Sequence, residues 1–233
     1  MNATNVVINA KDSAEIASNI TANNNVNITA GNGVTFTESA NTASNQGTAV
    51  NVGIGAGTTI NVETGVAVPH VNGSVGVNKT DNASSTATGA NVAAGNDIKI
   101  NANNGDVNLH GTNLVSNNSV EVEGNKVNTF GAISSVNEKN LTVNVNGSYA
   151  SGKPDGGINA KGKNEANVTN TANTIQSDNV AITTGSPTGL SVNNTTINGN
   201  NVAYYYDDSK APAANRYTYR PRQPSYAKRR LRY

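Results

Sequence analysis

The stretch "GNDIKINANNGDVNLHGTNLVSNN", residues 95–118, alternates branched aliphatic residues with asparagine and other polar residues. Ile98 and Ile100 lie two residues apart, and so do Val107 and Leu109. Because successive side chains of a strand point to opposite faces, each pair shares one face and leaves a polar residue on the other. The stretch therefore predicts short, half-buried strands separated by corners rich in Asn and Gly.

Pairs of this kind recur at Val6/Ile8, Val26/Ile28, Ile98/Ile100, Val107/Leu109, Val120/Val122 and Val180/Ile182. The interval from Val6 to Val26 is close to the interval from Ile98 to Val120. A regular repeat of this kind, with two or three short strands per period, is typical of a β-solenoid in which each period makes one winding. The sequence therefore predicts an all-β fold, a parallel β-helix with windings of roughly 20 residues.

A longer repeat in the sequence supports this division of the chain into windings. Residues 82–120 and 164–202 align at a nearly constant shift, which matches Ile98 with Val180, Ile100 with Ile182, Leu109 with Val192, and Leu114 with Ile197. Upstream, "HVNGSVG" (70–76) resembles "NVNGSYA" (144–150), and we assign about eight extra residues around 152–159 to an exterior turn. The prediction is a coil over residues 1–202, with duplicated blocks at about 45–120 and 137–202.

Aliphatic side chains of successive windings should stack into one column inside the coil. The predicted stack consists of Val26, Ile28, Ile98, Ile100, Val107, Leu109, Leu114, Val120, Val122, Val180, Ile182, Val192 and Ile197.

The composition suits a thin core. Hydrophobic residues make up 35% of the chain and aromatic residues 4%, whereas Asn occurs 43 times and Cys and Trp are absent. Such a chain is either disordered or uses each apolar side chain economically. Disorder is the weaker interpretation, because a disordered polar chain would not keep V-x-V and I-x-I in phase across two blocks. Asn and Gly suit the corners, since both tolerate left-handed conformations and Asn amides can also stack in ladders.

Residues 92–128, "VAAGNDIKINANNGDVNLHGTNLVSNNSVEVEGNKVN", resemble the haemagglutinin-type repeats of filamentous-haemagglutinin-like exoproteins. These are the secreted partners of two-partner secretion systems and include contact-dependent inhibition proteins. The resemblance covers residues 45–202 twice over and residues 1–44 more loosely. It implies a right-handed parallel β-helix that forms a stiff rod, is secreted or held at the bacterial cell surface, and is exported through an outer-membrane transporter partner.

No signal peptide or amino-terminal secretion domain is recognisable, so the chain resembles an internal or carboxy-proximal segment, a fragmentary reading frame or a trimmed chain. No stretch approaches 18 consecutive apolar residues, so no membrane-spanning helix is expected.

Residues that could carry catalysis are few. His70 and His110 lie in different blocks without a partner at metal-ligand spacing, and a lone turn histidine is usually structural. Asp97 and Asp106 lie half a winding apart, Glu121 and Glu123 share a strand face, and residues 1–202 contain no Arg. Solvated turn charges explain these acids better than paired catalytic carboxylates do. We therefore expect no enzyme activity, no cofactor and no bound metal.

Residues 203–233 differ from the rest. They contain seven of the eight tyrosines and all six arginines, with a formal charge near +6, against −5 for residues 1–202. Their three prolines oppose regular structure, so we predict an irregular, extended or disordered tail. Two roles are open besides a simple linker: Tyr204, Tyr205 and Tyr206 could cap the coil, and the arginines could contact an anionic surface. The arginines are Arg216, Arg220, Arg222, Arg229, Arg230 and Arg232. Nucleic acid is a disfavoured partner.

The function favoured by these features is a non-enzymatic adhesive stalk that contacts host or neighbouring cells, through glycans or proteins. Two alternatives remain open: a delivery filament of a contact-dependent inhibition toxin, and a β-helical carbohydrate-active enzyme. A groove with three or more stacked carboxylates would favour the enzyme, and a folded domain after the repeats would favour the filament.

Overall fold

The computed structural model describes residues 1–207 and 209, which contain twenty-one β-strands and no α-helix. Seventeen of the strands form a coil of six windings. The first two windings comprise β1 (Asn2–Ala3), β2 (Val6–Ala10), β3 (Ser13–Ile16), β4 (Ile20–Ala22), β5 (Val26–Ala30) and β6 (Gly33–Phe36). After two long strands, β7 (Ser39–Ile60) and β8 (Ala67–Thr88), the third and fourth windings comprise β9 (Asn91–Ala94), β10 (Asp97–Ala102), β11 (Val107–His110), β12 (Asn113–Ser116), β13 (Ser119–Gly124) and β14 (Val127–Phe130). After two more long strands, β15 (Ala132–Ala150) and β16 (Lys153–Thr171), the last windings comprise β17 (Asn173–Gln176), β18 (Asn179–Thr184), β19 (Leu190–Val192), β20 (Thr195–Asn198) and β21 (Asn201–Tyr206).

The short strands form three parallel sheets, because each winding contributes one strand to each sheet, except that the sixth winding contributes none to the third sheet. We call them sheet A (β1, β4, β9, β12, β17, β20), sheet B (β2, β5, β10, β13, β18, β21) and sheet C (β3, β6, β11, β14, β19). In sheet B, for example, every strand pairs in parallel with its equivalent in the next winding. The predicted all-β parallel β-helix is therefore confirmed.

Aliphatic columns run through the coil in register. In sheet B the first column contains Val6, Val26, Ile98, Val120, Val180 and Val202, and the second contains Ile8, Ile28, Ile100, Val122, Ile182 and Tyr204. From Val26 to Val180 the members of the first column are at most 1% exposed. Burying one such Val or Ile side chain contributes roughly 1.5–3 kcal/mol, so a few aliphatics per winding suffice.

The matches made between the two blocks hold in three dimensions. Leu109 and Val192 both pair with Thr129 in sheet C, and Leu114 and Ile197 both pair with Ile175 in sheet A. Val192, however, is 44% exposed, so its prediction as a buried core residue is wrong. Within the described residues, β19 is the edge strand of sheet C, and no strand of the sixth winding pairs with it.

The four long strands depart from the continuous coil expected over residues 1–202. They form a separate four-stranded sheet in the order β16-β15-β8-β7, and β8 pairs antiparallel with β15. The chain divides into a coil unit (residues 1–40, 86–134 and the described residues from 169 onward) and a hairpin unit (residues 41–85 and 135–168). Extra residues around 152–159 are thus not a simple turn, because β16 begins at Lys153 and the turn lies at Ser151 and Gly152, both with positive φ.

The structure corrects two further predictions, one about equivalent segments and one about the end of the coil. The matching segments 70–76 and 144–150 are not equivalent positions of two copies: they face each other on antiparallel neighbours, with His70 opposite Ala150 and Gly76 opposite Asn144. The coil also extends beyond Val202, because β21 continues to Tyr206 in register with β18. The tail therefore does not begin at Ala203.

Candidate functional site

The outer surface of the coil is built from the polar residues that alternate with the columns. On sheet B, Asn27, Lys99 and Glu121 occupy successive windings of one outward row. Lys99 Nζ lies 3.1 Å from Glu121 Oε2, and the two side chains are 47% and 43% exposed. The hydrogen bond to Glu121 raises the pKa of Lys99 above 10.5, and the charge of Glu123 adds to this effect. The pair holds two neighbouring windings together at the surface.

A polar ladder lines the corner between sheets A and B. The residue before the first column of sheet B is polar in all six windings: Asn5, Asn25, Asp97, Ser119, Asn179 and Asn201. The backbone N–H groups of Asn25 and Asp97 donate to the side-chain oxygens of Asn5 and Asn25, at 3.2 and 3.3 Å. Asn201 Nδ2 donates to Asn179 Oδ1 at 3.0 Å. The expected use of Asn in corner ladders is thus observed.

The two aspartates considered for catalysis, Asp97 and Asp106, lie at corners of the coil. Asp97 Oδ1 accepts hydrogen bonds from Asn118 Nδ2 at 2.7 Å and Ser119 Oγ at 2.6 Å. Asp106 Oδ1, at the corner between sheets B and C, accepts from Asn125 Nδ2 at 2.8 Å. Among the described residues there is no group of three or more His, Asp or Glu that could hold a metal ion. Both aspartates therefore act as turn residues that link windings.

The two histidines belong to different units of the structure. His110 packs on Phe130 with ring centroids 4.8 Å apart, and His70 Nδ1 lies 3.3 Å from Thr59 Oγ1 in the hairpin unit. Each ring has a packing or hydrogen-bond partner within its own unit.

Asn173 is a buried polar residue where the chain resumes the coil after β16. Its Oδ1 accepts the Thr112 backbone N–H at 2.7 Å, and its Nδ2 donates to Phe130 O at 2.9 Å and Thr195 Oγ1 at 3.2 Å. Asn173 is 0% exposed, so this amide joins three separate segments of the chain in the interior. Sequence analysis missed it, because it is one of 43 asparagines.

The last winding leaves an apolar cavity of about 500 Å³, whose lining includes Leu190, Val192, Ile197 and Tyr204. Tyr204 lies in the second column above Ile182, and its hydroxyl lies 2.6 Å from Thr184 Oγ1 and donates to Ser186 O at 3.0 Å.

Of the other tyrosines proposed as a cap, Tyr205 is half-buried and pairs with the outward position of Thr183, whereas Tyr206 is 45% exposed. The cap role of the three tyrosines stays a prediction. The six tail arginines, from Arg216 to Arg232, lie outside the described residues.

The sheet of the hairpin unit has one apolar and one polar face. In the antiparallel register, Val71, Val75 and Val77 lie opposite Tyr149, Val145 and Val143, whereas Asn72, Ser74 and Asn78 lie opposite Ser148, Asn146 and Thr142 on the other face.

The outer strands continue this division. A Cβ at Gly53, Gly55 or Gly57 would meet the side chain of Ser74, Asn72 or His70, which places these glycines of β7 on the polar face. Lys163 of β16 binds Glu138, also on the polar face, at 2.7 Å. Because side chains alternate, the aliphatics between these residues lie on the apolar face.

We call this surface the hairpin apolar face. It comprises Val50, Val52, Ile54, Ile60, Val71, Val75, Leu141, Val145, Tyr149, Ile158 and Val168, which are 43% to 85% exposed. The signal in the sequence was "VNVGIGAG" (50–57), where apolar residues alternate with asparagine and glycine without a break in phase. This face is the largest surface feature that sequence analysis missed.

Comparisons with known proteins bear on the whole arrangement. No helix within residues 1–207 and 209 is both long and apolar enough to cross a bilayer. No curated protein and no solved structure matches the chain. A family model described as the hemagglutinin repeat matches residues 71–204, which span the two central windings, most of the hairpin unit and the last windings. This match covers more than half of the 233 residues, and the chain therefore belongs to the hemagglutinin-repeat family.

Proposed function

We propose that the chain is a segment of a rigid stalk in a secreted, cell-surface bacterial exoprotein, and that it attaches to host or neighbouring cells through its polar outer surface. The observation that carries the proposal is the unbroken pair of columns in sheet B, which runs through all six windings. Stacked windings add about 4.8 Å of length each, so such a coil extends without needing a thicker core.

The chemistry of the outer surface supports binding to other cell surfaces rather than catalysis. Its rows of Asn, Thr and Ser offer amide and hydroxyl groups that hydrogen-bond to glycans or to polar protein surfaces. Shallow polar rows provide no deep pocket for a single strong anchor, so each contact is weak and attachment depends on many contacts at once. Export through an outer-membrane transporter partner belongs to the same proposal and rests on the family.

Adhesion can be tested with beads that carry the full chain at graded surface densities. We expect the beads to bind cultured host cells or neighbouring bacterial cells with a steep dependence on density, as multivalent contact requires. The matched control is Ile100→Asp, which puts a charge into the second column, where Ile100 is 0% exposed, and should unfold the coil. Equal binding by both proteins, or binding no better than that of albumin-coated beads, would refute the adhesive role.

The two alternatives receive less support. A delivery filament carries a folded effector, and adhesion by this chain alone would favour the stalk. A carbohydrate-active enzyme would need grouped carboxylates, whereas Asp97 and Asp106 are hydrogen-bonded within corners and Glu121 is paired with Lys99. Release of reducing ends from a polysaccharide by the wild-type chain, lost in Glu121→Gln, would favour the enzyme instead.

A further inference from the structure

The hairpin unit has no interior of its own. Among residues 41–85 and 135–168, Gly76 is the one buried residue, and every residue of β16 is exposed. A sheet of three or more strands is stable when one face is covered, because covering supplies the hydrophobic stabilisation that offsets the ordering of the chain. The hairpin apolar face therefore requires a cover that residues 1–207 and 209 do not provide.

The chemistry of the hairpin apolar face restricts what can cover it. Val75 and Val145 lie directly opposite each other on the two central strands. The charges on the same face are Lys79, Asp81 and Lys139, towards one end of the sheet, and Asp81 is directly opposite Lys139. The middle of the face carries none of these charges. A complementary partner surface is therefore apolar, and neither acidic nor basic.

We propose that the hairpin apolar face packs against the same face of a second copy of this chain, so that two hairpin units form a two-layer β-sandwich. Sheets pack face to face about 10 Å apart with their strands nearly aligned, and an identical sheet offers an apolar face of matching length and width. A two-fold axis through the centre makes such a contact self-complementary and closes the assembly at two copies.

The area of the face is sufficient for a stable pair. Four strands at about 4.8 Å give a width of about 19 Å, and the aliphatic row from Val50 to Ile60 is about 35 Å long at about 3.4 Å per residue. One face thus covers about 650 Å², and a pair buries about 1,300 Å² in total, within the range of about 1,200–2,000 Å² for specific interfaces. An exposed apolar surface of this size on a monomer is itself typical of an interaction site.

This pairing is independent of the adhesive role, and its first test is the mass of the full chain in a sedimentation dilution series. We expect a reversible dimer, and Val145→Lys should raise its dissociation constant by at least about 100-fold, because each copy would bury an unpaired ammonium near its symmetry mate. The matched control, Asn146→Lys, places the same charge on the polar face of the same strand and should leave the dimer unchanged.

A second test leaves the face nearly intact. The chain has no cysteine, so Val75→Cys introduces one thiol near the centre of the apolar face, and Ser74→Cys introduces one on the opposite face of the same strand. A short bis-maleimide should link two copies of Val75→Cys but not of Ser74→Cys.

Three outcomes would overturn the pairing. The chain could remain monomeric at every concentration; Ser74→Cys could cross-link as well as Val75→Cys; or neutral phosphatidylcholine vesicles could bind the face of a monomeric chain.

Discussion

Replacing Asn173 by alanine is expected to destabilise the coil far more than replacing an exposed asparagine does. The substitution removes the bonds of the side chain to the Thr112 N–H, to Phe130 O and to Thr195 Oγ1, at 2.7, 2.9 and 3.2 Å. The size of the effect depends on which of these groups finds another partner.

Two of the three groups keep another hydrogen-bond partner. Phe130 O still accepts the Gly111 N–H at 2.8 Å, and Thr195 Oγ1 still donates to Asn193 O at 3.0 Å. The Thr112 N–H is left without the acceptor it has now, and Thr112 is 0% exposed. An unsatisfied buried donor costs about 1–3 kcal/mol and each lost ordinary hydrogen bond about 1 kcal/mol, so we expect a loss of about 3 kcal/mol. This is a large fraction of the roughly 5–15 kcal/mol that stabilises a typical domain.

The assay is urea unfolding of the full chain followed by circular dichroism, with amide hydrogen exchange at Thr112 as a local readout. Asn198→Ala is the matched control, since Asn198 lies exposed on the neighbouring strand of sheet A and its loss should change stability by less than about 0.5 kcal/mol. The reasoning fails if Asn173→Ala unfolds at the same urea concentration as Asn198→Ala, or if exchange at Thr112 does not accelerate.

Three other changes test the coil by urea unfolding. Ile100→Ala should cost about 2–5 kcal/mol, because Ile100 is 0% exposed between aliphatics of the adjacent windings; a loss below about 1 kcal/mol would contradict the column. Glu121→Gln should cost less than about 1 kcal/mol at low salt and nothing at high salt, since both partners are largely exposed. Because Glu121 raises the pKa of Lys99, the stabilisation stays complete as the pH rises from neutral to about 10.5 and is lost as the pH rises through the folded-state pKa, so the two proteins should converge in alkali. Tyr204→Phe should cost about 1 kcal/mol by removing the hydroxyl contact with Thr184, and an unchanged midpoint would argue against that contact.

The sequence was sufficient for the coil because the coil repeats. Spacing alone was enough to stack Val6 on Val26 and Ile98 on Val120, since every winding imposes the same requirement on the same position. The hairpin unit was not predicted, because its strands share the period of two with the coil strands and periodicity does not reveal the partner strand. The difference is that aliphatics in β7 stay in one phase from Val50 to Ile60, whereas the coil strands change phase at a corner, as between Ile100 and Val107.

The role of an individual asparagine was predictable only where it repeats. The ladder through Asn5 and Asn25 recurs in successive windings and follows from the corner geometry. Asn173 does not recur: in the register of sheet A, the equivalent positions of the two preceding windings hold Thr112 and Ala90, which are also buried. What Asn173 does depends on where the chain resumes the coil, and no local pattern in the sequence encodes that position.

The order of the elements along the chain explains the long repeat in the sequence. β7 and β8 interrupt the chain between the second and third windings, and β15 and β16 interrupt it between the fourth and fifth. Each hairpin therefore precedes two windings, and one hairpin plus two windings is the segment that repeats. A duplication of this whole segment accounts for the shift that brings Ile98 onto Val180 in the aligned blocks, because Ile98 and Val180 hold the same column position two windings apart.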